Sequence, residues 1–481
     1  MQSSVVRLSK VRSESKLFRF DAEYFNPKYL KTELLIKEKD YDELRNLISL
    51  LTDYHANGSY EILRGNVQLK SEPDYAHMIR TVDIEKDDFE NDIISISKHA
   101  YKFLGKTKVY GGEIIINKIG NAGKVYLIPP IDRKTSLGMN QFMVRTNDRV
   151  NNHYLYCYLA GKYGQNQLNQ RITGAVPLSI DKESTRSVLV PIFSSDFEKM
   201  VSDKMTIHFQ FSKKSKRSFK DAKIILLSEL GLTHWQPKHQ LTFIKNHSDI
   251  KQAERIDAEY YQPKYEGIIK AIQNYSGGWD TLDNFIGSYS TGYPFSSKSY
   301  VDDGVCLIRI NNILKGHVDL SNAVKIPLQD VVSKKDIVLE NDILISMSGT
   351  IGNACKIPQG TKAVINQRIF KFTPKHYNFD VLTLIINSNI GLQQLLKIGT
   401  GGVQTNISGN DIKKILIPIL PEEKQTQIQK KITESFNLRK QSKQLLECAK
   451  KAVEIAIEQD EQKAIKWLKE QTRDIGVMDA D

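Results

Sequence analysis

The chain has 481 residues, of which 40% are hydrophobic and 26% charged, so its composition is typical of a globular protein and not of a disordered one. Its formal net charge of +12 favours a polyanionic partner such as nucleic acid. The four cysteines, at positions 157, 306, 355 and 448, form no C-x-x-C pair, which argues against a disulfide framework or a zinc site. The sequence starts without the apolar core of a signal peptide, and no apolar run is long enough to span a bilayer. We therefore expect a cytoplasmic protein.

An eleven-residue segment near the start of the sequence occurs a second time. RFDAEYFNPKY at 19–29 and RIDAEYYQPKY at 255–265 agree at eight positions. Four further pairs of segments follow in the same order: MIRTVDI (78–84) with LIRINNI (307–313), GEIIINKIGNAGKVYLIP (112–129) with NDILISMSGTIGNACKIP (341–358), Asn140-Gln141 with Asn366-Gln367, and TGAVPLSIDKESTRSVLVPI (173–192) with TGGVQTNISGNDIKKILIPI (400–419). The sequence therefore predicts the duplication of a globular unit of about 230 residues, far longer than a solenoid repeat.

Each copy has the same predicted order of elements. It opens on a short helix, which Asn26 can cap with Pro27 at the first helical position, and Gln262 and Pro263 repeat that placement. Short β-rich segments broken by Gly and Asn follow, such as EIIIN (113–117) and DILIS (342–346). An apolar strand ending in Pro closes each copy, and a long polar stretch compatible with a helix comes after it.

The two long polar stretches, at 195–230 and 422–470, share a heptad-like spacing of apolar and small residues. We expect helices of roughly 54 Å, from about 36 residues at 1.5 Å each, that pair antiparallel along this seam. The alternative is that each helix only covers its own domain. His208, aligned with Ser435, is interpreted as a packed seam residue and not as a ligand. The other predicted seam residues are Val201, Met205, Ser215, Phe219, Ala222, Leu226, Ile428, Ile432, Ser442, Leu446, Ala449 and Val453.

The segment between the two copies is a candidate linker. Gly231 is expected to end the first long helix and Pro237 to prevent its continuation, while Trp235 packs across the junction. The predicted organisation is a first domain at 1–193, a first spacer helix at 194–230, a linker at 231–238, a second domain at 239–420, a second spacer helix at 421–470 and a tail at 471–481. The predicted fold class is α+β, with two duplicated α/β domains joined by two long helices that pair as an antiparallel coiled coil with pseudo-twofold symmetry.

No motif in the sequence indicates catalysis. FNPKY (25–29) departs from the Asn/Asp-Pro-Pro-Tyr/Phe signature of amino-methyltransferases acting on DNA, because Lys28 replaces the second Pro and no glycine-rich cofactor loop precedes it. The sequence contains no P-loop, nucleophile elbow or zinc-protease signature. We expect a protein that is not an enzyme and that binds no metal or cofactor of its own.

Three stretches resemble the specificity subunit of type I restriction-modification systems: the pair RFDAEYFNPKY and RIDAEYYQPKY; DILISMSGTIGNACKIP (342–358) with INQRIFKFTP (365–374); and GTGGVQTNISGNDIKKILIPIL (399–420) with PEEKQTQIQKKI (421–432). The resemblance implies two target recognition domains, each reading one half of a split sequence in double-stranded DNA. It implies paired helices that set the half-site spacing and dock two modification (methyltransferase) subunits. These partners would hold S-adenosylmethionine, and a motor-nuclease restriction subunit could join them.

Polar residues in the loops between β segments are the candidate DNA contacts. Lys and Arg bind phosphates, Arg reads guanine, and Asn or Gln reads adenine. Because Asn140-Gln141 and Asn366-Gln367 recur, we assign them a shared structural role and favour the unshared Arg368 for base reading. The candidates in the first copy are Lys118, Asn121, Arg133, Lys134, Asn140, Gln141 and Arg145, and those in the second are Lys298, Arg309, Ser348, Thr350, Gln367, Arg368, Thr405 and Asn406.

Three functions remain open at this point. The first is the specificity subunit, and the second is a two-domain nucleic-acid-binding scaffold outside restriction. The third, an enzyme that modifies DNA itself, is disfavoured because the sequence has no cofactor loop. A related system, in which one partner chain carries both methylation and cleavage, is also compatible with the sequence.

Overall fold

The computed structural model describes residues 21–87, 93–400 and 405–476, together with positions 6, 8, 9, 11, 19 and 89. Phe20 of the first repeated segment, 401–404 of the TGGVQTN loop and 477–481 of the predicted tail lie outside the described residues. The chain divides into unit 1, formed by Met1–Lys213 and Leu438–Asp481, and unit 2, formed by Lys214–Asn437. Each long helix is shared between the units, whereas the sequence prediction treated the helices as separate segments.

The first segment of unit 1 contains short strands joined by short helices and leads into the first long helix. Its helices are α1 (Pro27–Lys37), α2 (Tyr60–Asn66), α3 (Thr81–Glu85), α4 (Lys98–Phe103), α5 (Asn152–Ala160), α6 (Lys162–Arg171), α7 (Lys182–Arg186) and α8 (Ser195–Glu229). Its strands are β1 (Tyr41–Glu43), β2 (Ile48–Asp53), β3 (Ala76–Ile79), β4 (Ile94–Ile96), β5 (Lys108–Val109), β6 (Ile114–Asn117), β7 (Val125–Leu127), β8 (Thr135–Leu137), β9 (Gln141–Thr146) and β10 (Leu189–Pro191).

The larger sheet of unit 1 is antiparallel, with strand order β2-β9-β6-β7. A second sheet, β4-β3-β8-β5, contains the parallel pair β3 and β8, and the closing strand β10 pairs with β1. Strand β6 is buried on both faces because alternate residues point to opposite sides. Ile114 and Ile116 pack into the core with helices α5 and α6, and Ile115 packs against Ile79 and Leu137 of the second sheet. This explains why the strand reads as a continuous apolar run.

Unit 2 repeats this organisation and continues into the second long helix. Its helices are α9 (His247–Ala253), α10 (Pro263–Gln273), α11 (Phe379–Asn387), α12 (Asn389–Ile398), α13 (Gly409–Lys413) and α14 (Glu422–Glu458), after which α15 (Glu461–Asp474) returns to unit 1. Its strands are β11 (Trp279–Thr281), β12 (Ile286–Ser290), β13 (Val305–Ile308), β14 (Ile313–Leu314), β15 (His317–Val318), β16 (Lys325–Ile326), β17 (Ile343–Ser346), β18 (Ala354–Lys356), β19 (Ala363–Ile365), β20 (Ile369–Pro374) and β21 (Leu416–Pro418).

The sheets of unit 2 have the strand orders expected of a second copy. Its larger sheet, β12-β20-β17-β18, matches β2-β9-β6-β7 strand for strand. The smaller sheet β16-β13-β19 again contains a parallel pair, β13 with β19, and β21 pairs with β11 as β10 does with β1. The predicted α+β fold with two duplicated domains is therefore confirmed.

The first repeated segment forms hydrogen bonds within its own unit. Arg19 donates from Nε and Nη2 to the two carboxylate oxygens of Asp21 at 2.8 and 2.9 Å. Its Nη1 donates to the carbonyl oxygen of Gln170, at the C-terminal end of α6, at 3.2 Å. The guanidinium thus satisfies a carbonyl that a helix end leaves without an intrahelical partner.

The second copy makes the same contacts in unit 2. Arg255 donates to both carboxylate oxygens of Asp257 at 2.8 Å, and to the carbonyl oxygens of Ile398 and Gly399 at 3.1 and 3.0 Å. These carbonyls lie at the C-terminal end of α12, the counterpart of α6. The recurrence of the segment is therefore explained by a contact that each unit makes with itself.

The helix that follows each repeated segment starts differently in the two units. Asn26 caps α1 as predicted, since its side chain accepts from the backbone N–H of Lys28 at 3.2 Å and Pro27 is the first helical residue. Gln262 makes no such cap and instead exchanges two hydrogen bonds with the backbone of Gln240, at 3.0 and 2.9 Å. The second copy thus uses this position to hold the chain that leads into it.

Replacing the cap should have a measurable effect on stability. Asn26→Ala is expected to lower the free energy of unfolding by about 1 kcal/mol, because one backbone N–H at the start of α1 loses its acceptor. Urea denaturation of the full chain followed by circular dichroism measures the change. Lys31→Ala, at an exposed position of the same helix, is the control. Equal midpoints for the two variants would contradict the capping role.

The long helices differ in how they end. Helix α8 stops at Glu229, and Gly231 adopts a left-handed φ of 66°, as the sequence predicts. Trp235, predicted to pack across the junction, lies half-buried against the core of unit 2. The single second helix predicted for 421–470 is wrong, because α14 ends at Glu458 and Asp460 caps a separate helix by accepting from the N–H of Lys463 at 2.8 Å. Helix α15 also reaches Asp474, inside the predicted tail.

Within unit 1, α8 runs antiparallel to the chain of α14 and α15. Near its start, the backbone N–H of Ser194 donates to Glu461 at 3.2 Å. Further along, His208 Nδ1 lies 2.8 Å from the carbonyl oxygen of Ser442, and Ser442 Oγ donates to the carbonyl of His208 at 3.0 Å. Residue numbers rise on one side and fall on the other, and His208 is held as a packed residue.

Within unit 2, the remaining parts of α8 and α14 also lie antiparallel. The hydroxyl groups of Ser215 and Ser435 each donate to the carbonyl oxygen of the other residue at 2.8 Å. Glu229 and Lys424 form an ion pair at 3.3 Å further along. These reciprocal serine contacts require closely spaced helix backbones, which small side chains permit. A continuous coiled coil and the pseudo-twofold arrangement of the units stay predictions.

The structure buries most of the predicted seam residues. Phe219 and Leu446 are only half-buried, and Leu445 is the fully buried neighbour in the second case. The buried seam residues are Val201, Met205, Ser442, Ala449 and Val453 in unit 1, and Ser215, Ala222, Leu226, Ile428 and Ile432 in unit 2. Each group joins the main core of its unit or, in the case of the serines, lies between the two helices.

Candidate nucleic-acid interface

In each unit, three loops meet at one edge of the larger sheet. In unit 1 they are 118–123, 138–140 and 173–180, joined by a β-bridge between Ile119 and Ser179. In unit 2 they are 347–352, 366–368 and the described part of 400–407, joined by a bridge between Ser348 and Asn406. We call these sites the loop edge of unit 1 and the loop edge of unit 2. The two loop edges together contain nine of the fifteen candidate DNA contacts, and Gln141 begins the strand beside the loop edge of unit 1.

Backbone hydrogen bonds show which residues of the two loop edges correspond. The carbonyl of Asn140 accepts from the N–H of Lys118 at 2.8 Å, and the carbonyl of Arg368 accepts from that of Met347 at 2.9 Å. Asn140 and Arg368 both have a φ of 68°, in the left-handed region that residues other than glycine seldom adopt. Asn140 therefore corresponds to Arg368. The predicted correspondence of Asn140-Gln141 with Asn366-Gln367 is wrong, because Asn366 lies two positions before Arg368, whose backbone conformation and hydrogen bond match those of Asn140.

Two lysines share one buried carboxylate at the loop edge of unit 1. Asp53 accepts from Lys118 Nζ at 3.1 Å and from Lys182 Nζ at 2.8 Å, while its own side chain is only 7% exposed. Burial alone would raise the pKa of Asp53, but the two ammonium groups outweigh it and hold the pKa below its usual value. Each ammonium has further donors for an outside anion, so the pair forms a fixed cationic site. The sequence analysis named Lys118 and missed Lys182, which lies in the repeated loop segment.

Of two other candidates in unit 1, one is held by a neighbouring carboxylate and one is buried. The amide of Asn121 donates to Glu85 Oε1 at 3.0 Å. Gln141 is fully buried opposite Asn117 on the neighbouring strand, and the structure, within the residues it describes, gives neither amide a hydrogen-bond partner. Gln141 cannot contact DNA, because its side chain, at the first position of β9, is fully buried. That prediction is corrected.

The remaining candidates of unit 1, Arg133, Lys134 and Arg145, lie outside the loop edge. Arg133 and Lys134 precede strand β8 and are exposed, whereas Asn140 follows it. Arg145 is half-buried and is held by Glu113 at 3.1 Å and by the carbonyl of Lys108 at 2.6 Å. Arg145 thus forms a structural ion pair with Glu113. Arg133 and Lys134 belong to a surface apart from the loop edge.

At the loop edge of unit 2, Arg368 is exposed and positioned by a neighbour. Its Nη1 donates to the side-chain oxygen of Asn406 at 3.1 Å. Ser348 is fully buried, and its hydroxyl has no partner in the described part of the chain, so its predicted contact with DNA is also corrected. Gln367 and Thr350 are exposed and Thr405 is half-buried. Arg368 is the one candidate here with a long charged side chain held in place at the surface.

Arg309 differs from its counterpart in unit 1 because of one neighbouring residue. In unit 1, Asp83 caps the N–H of Arg80 and also accepts from its Nε and Nη2 at 3.0 and 2.7 Å. In unit 2, Asn312 caps the N–H of Arg309 at 2.9 Å but brings no negative charge. The Arg309 Nε is buried without a hydrogen-bond partner among the described residues. The difference was readable by comparing MIRTVDI with LIRINNI.

Lys298, the last candidate, is exposed in a short turn before β13.

Among the described residues, no group of three or more His, Cys, Asp or Glu side chains is placed to hold a metal ion. No helix of the described chain combines the length and the apolar character needed to cross a membrane.

Residues 286–448 match the family model described as the type I restriction modification DNA specificity domain. The match covers most of unit 2 and part of α14, and it contains the whole loop edge of unit 2. The predicted resemblance to specificity subunits is therefore confirmed for this part of the chain.

Two curated relatives with matching segments are named as specificity subunits. The Type I restriction enzyme EcoAI specificity subunit of Escherichia coli is 29% identical over 189 residues, which are 36% of this chain and 31% of that protein. The EcoBI specificity subunit of the same organism is 26% identical over 140 residues, 28% of this chain and 29% of that protein. The chain thus spans about a third of the length of the curated relatives it matches.

A solved structure with similarity over most of the chain is the type I restriction-modification system S subunit from M. genitalium. It is 13% identical, with 89% of this chain and 95% of that chain covered and a TM-score of 0.36. A likeness at that TM-score carries no argument about fold or function.

Proposed function

We propose that this chain, which carries a match to a type I restriction modification DNA specificity domain, is the DNA-recognition subunit of a type I-like restriction-modification complex. One observation carries the proposal: the matched region has a second copy in the same chain, with the same strand order in its larger sheet. Two equivalent readers suit a DNA target with two separate halves. A net charge of +12 suits the phosphate backbone of that target.

In this proposal the chain performs no chemistry. Two modification subunits dock on it, bind S-adenosylmethionine and methylate the DNA, and a motor-nuclease subunit completes a restriction complex. The protein would act in the cytoplasm, where the genomic DNA lies. The long helices of 35 and 37 residues are the elements we assign to half-site spacing and to docking.

The loop edges are the proposed reading surfaces. Lys118 and Lys182 are placed to bind a phosphate at the loop edge of unit 1, which fixes register without reading sequence. Asn140 and Arg368 occupy corresponding exposed positions and offer the two side-chain types that read adenine and guanine in the major groove. The two units therefore present different readers at one shared backbone position.

A domain exchange tests the proposal. The full chain, and a variant in which 239–420 is replaced by the second domain of another specificity subunit, are each expressed with their methyltransferase subunits, and genomic methylation is sequenced. We expect a bipartite methylated target of which only one half changes. A continuous target, or a change in both halves, would contradict two independent readers.

Co-purification separates the alternatives. We expect the tagged chain to capture a methyltransferase subunit from its own cells. Capture of a single chain with both methylation and cleavage activities would indicate the related system, and failure to capture any methyltransferase would indicate a scaffold outside restriction. Methylation by the purified chain alone with labelled S-adenosylmethionine would overturn the assignment as a non-catalytic subunit.

A further inference from the structure

Unit 1 carries an exposed tyrosine surrounded by lysines, away from its loop edge. Lys134 Nζ donates to the hydroxyl oxygen of Tyr75 at 2.9 Å and lies 4.3 Å from the centre of its ring. Lys98 Nζ lies 5.8 Å from the centre of the same ring. The hydrogen bond from Lys134, followed by the charges of nearby lysines, lowers the pKa of Tyr75. The surface around this ring is therefore strongly cationic.

A second aromatic ring extends this surface. Tyr101 lies 5.9 Å from Tyr75 between ring centres, and Lys108 Nζ lies 5.1 Å from the Tyr101 ring. Lys98 and Lys102 are four residues apart on α4, so they share one face of that helix. We call this surface the lysine–tyrosine patch; it consists of Tyr75, Lys98, Tyr101, Lys102, Lys108 and Lys134.

Acidic residues do not balance the patch. Residues 98–110 contain four lysines and no Asp or Glu. The corresponding residues of unit 2, 327–339, contain two lysines and two aspartates. Near the patch in sequence, Asp74 is paired with Lys70 at 2.5 Å and Glu113 with Arg145 at 3.1 Å, while Glu72 and Asp132 are the other two acids. The positive charge is thus a property of unit 1 and not of the duplicated fold.

We propose that the lysine–tyrosine patch binds phosphate groups of double-stranded DNA, independently of base sequence. The inference rests on the proposed function and adds a second contact surface to it. Lysine ammonium groups are point donors suited to phosphate. Because Lys134 donates to the Tyr75 oxygen, the Tyr75 hydroxyl proton is available to a further acceptor.

The position of the patch indicates a contact with flanking DNA. Lys134 and Asn140 stand at opposite ends of β8, six residues apart, a separation of up to about 20 Å in extended chain. This corresponds to about six nucleotides along one strand at 3.4 Å each. The patch therefore binds phosphates outside the bases reached from the loop edge, and it adds affinity without specificity.

Salt dependence of binding tests this inference. The full chain is titrated into a random-sequence duplex of about 40 base pairs, with binding followed by fluorescence anisotropy at several KCl concentrations. Each phosphate contact contributes about 0.9 to the slope of log K against log[salt]. Lys98→Ala combined with Lys134→Ala is expected to reduce the slope by about 1.8. All the substituted side chains are exposed, so the fold should be retained.

Two variants make the result specific. Lys334→Ala combined with Lys335→Ala removes the same charge from exposed positions of unit 2 and is expected to keep the wild-type slope. Lys98→Arg combined with Lys134→Arg keeps the charge and is expected to restore binding. A wild-type slope for the Lys98 and Lys134 alanine variant, or an equal loss in the unit 2 variant, would overturn the patch.

The salt-dependence test of the patch and the methylation test of the proposed function can fail separately. A chain that shows the expected slopes but directs no bipartite methylation would overturn the proposed function and support the patch. Bipartite methylation by a chain whose slope is insensitive to Lys98 and Lys134 would support the function and overturn the patch.

Discussion

Replacement of Arg309 by alanine is expected to weaken binding of the duplex target by about five- to 150-fold, corresponding to about 1–3 kcal/mol for one lost arginine contact to a base. The reason lies in the neighbour of this arginine. Asn312 caps the backbone of Arg309 without neutralising its guanidinium, whereas Asp83 both caps and pairs with Arg80. The Arg309 guanidinium lies over the Tyr300 ring, 5.9 Å from its centre, and has no carboxylate partner among the described residues, so its charge is left for an acceptor on the DNA.

The duplication provides the matched control for Arg309. Arg80→Ala removes the same side chain at the corresponding position of unit 1, where the guanidinium is already engaged, and is expected to change DNA affinity little. Anisotropy titrations with a duplex carrying the methylated target measure both variants. Arg309→Lys keeps the charge but not the planar pair of donors, so it should recover affinity only in part. Equal losses for Arg80→Ala and Arg309→Ala would refute the distinction.

Arg368→Ala is expected to relax the target at one base pair of the half-site read by unit 2, and Asn140→Ala at one base pair of the half-site read by unit 1. Each loss should correspond to about 1–3 kcal/mol of discrimination between bases. Both side chains leave the backbone at the same left-handed position, directly before β20 and β9. Holding such a conformation with an arginine costs energy, and a functional site is where that cost is usually retained.

Methylation sequencing of cells that carry each variant gives the readout. Lys334→Ala, at an exposed position of unit 2 outside the loop edge, is the control and should leave the target unchanged. Asn406→Ala removes the acceptor that positions Arg368 and should weaken the same base preference without shifting the other half-site. Relaxation in both halves from a single substitution would show that the two positions do not read independently.

The duplicated architecture was accessible from the sequence because its signals are local and repeated. Proline ends the closing strands at Pro191 and Pro418, glycine follows the first long helix, and the apolar runs of β6 and β17 recur in order. The break between α14 and α15 was missed, because Asp460 lies in a charged run whose composition suits a helix throughout. Only the hydrogen bond from Lys463 identifies Asp460 as a cap.

The contact residues were less accessible because side-chain direction depends on strand pairing. Gln141 looks like a loop residue in sequence, yet it pairs with Asn117 in the sheet and its side chain is buried. Matching letters at Asn140 and Asn366 concealed the true counterpart, Arg368, which only the backbone hydrogen bonds identify. Asp53 brings Lys118 and Lys182 together from distant parts of the chain, a contact that spacing in sequence does not indicate.

The contacts of Arg255 determine where a recombinant or engineered graft of the second domain can begin. This side chain covers the last carbonyls of α12, which lies more than a hundred residues later in the chain. A transplanted segment that starts after Arg255 would lack the guanidinium that hydrogen-bonds the C-terminal carbonyls of α12, and the host sequence would have to supply an equivalent donor. A cut before Gln240 also preserves its paired bonds with Gln262, so the transferable cassette is longer than its DNA-reading loops.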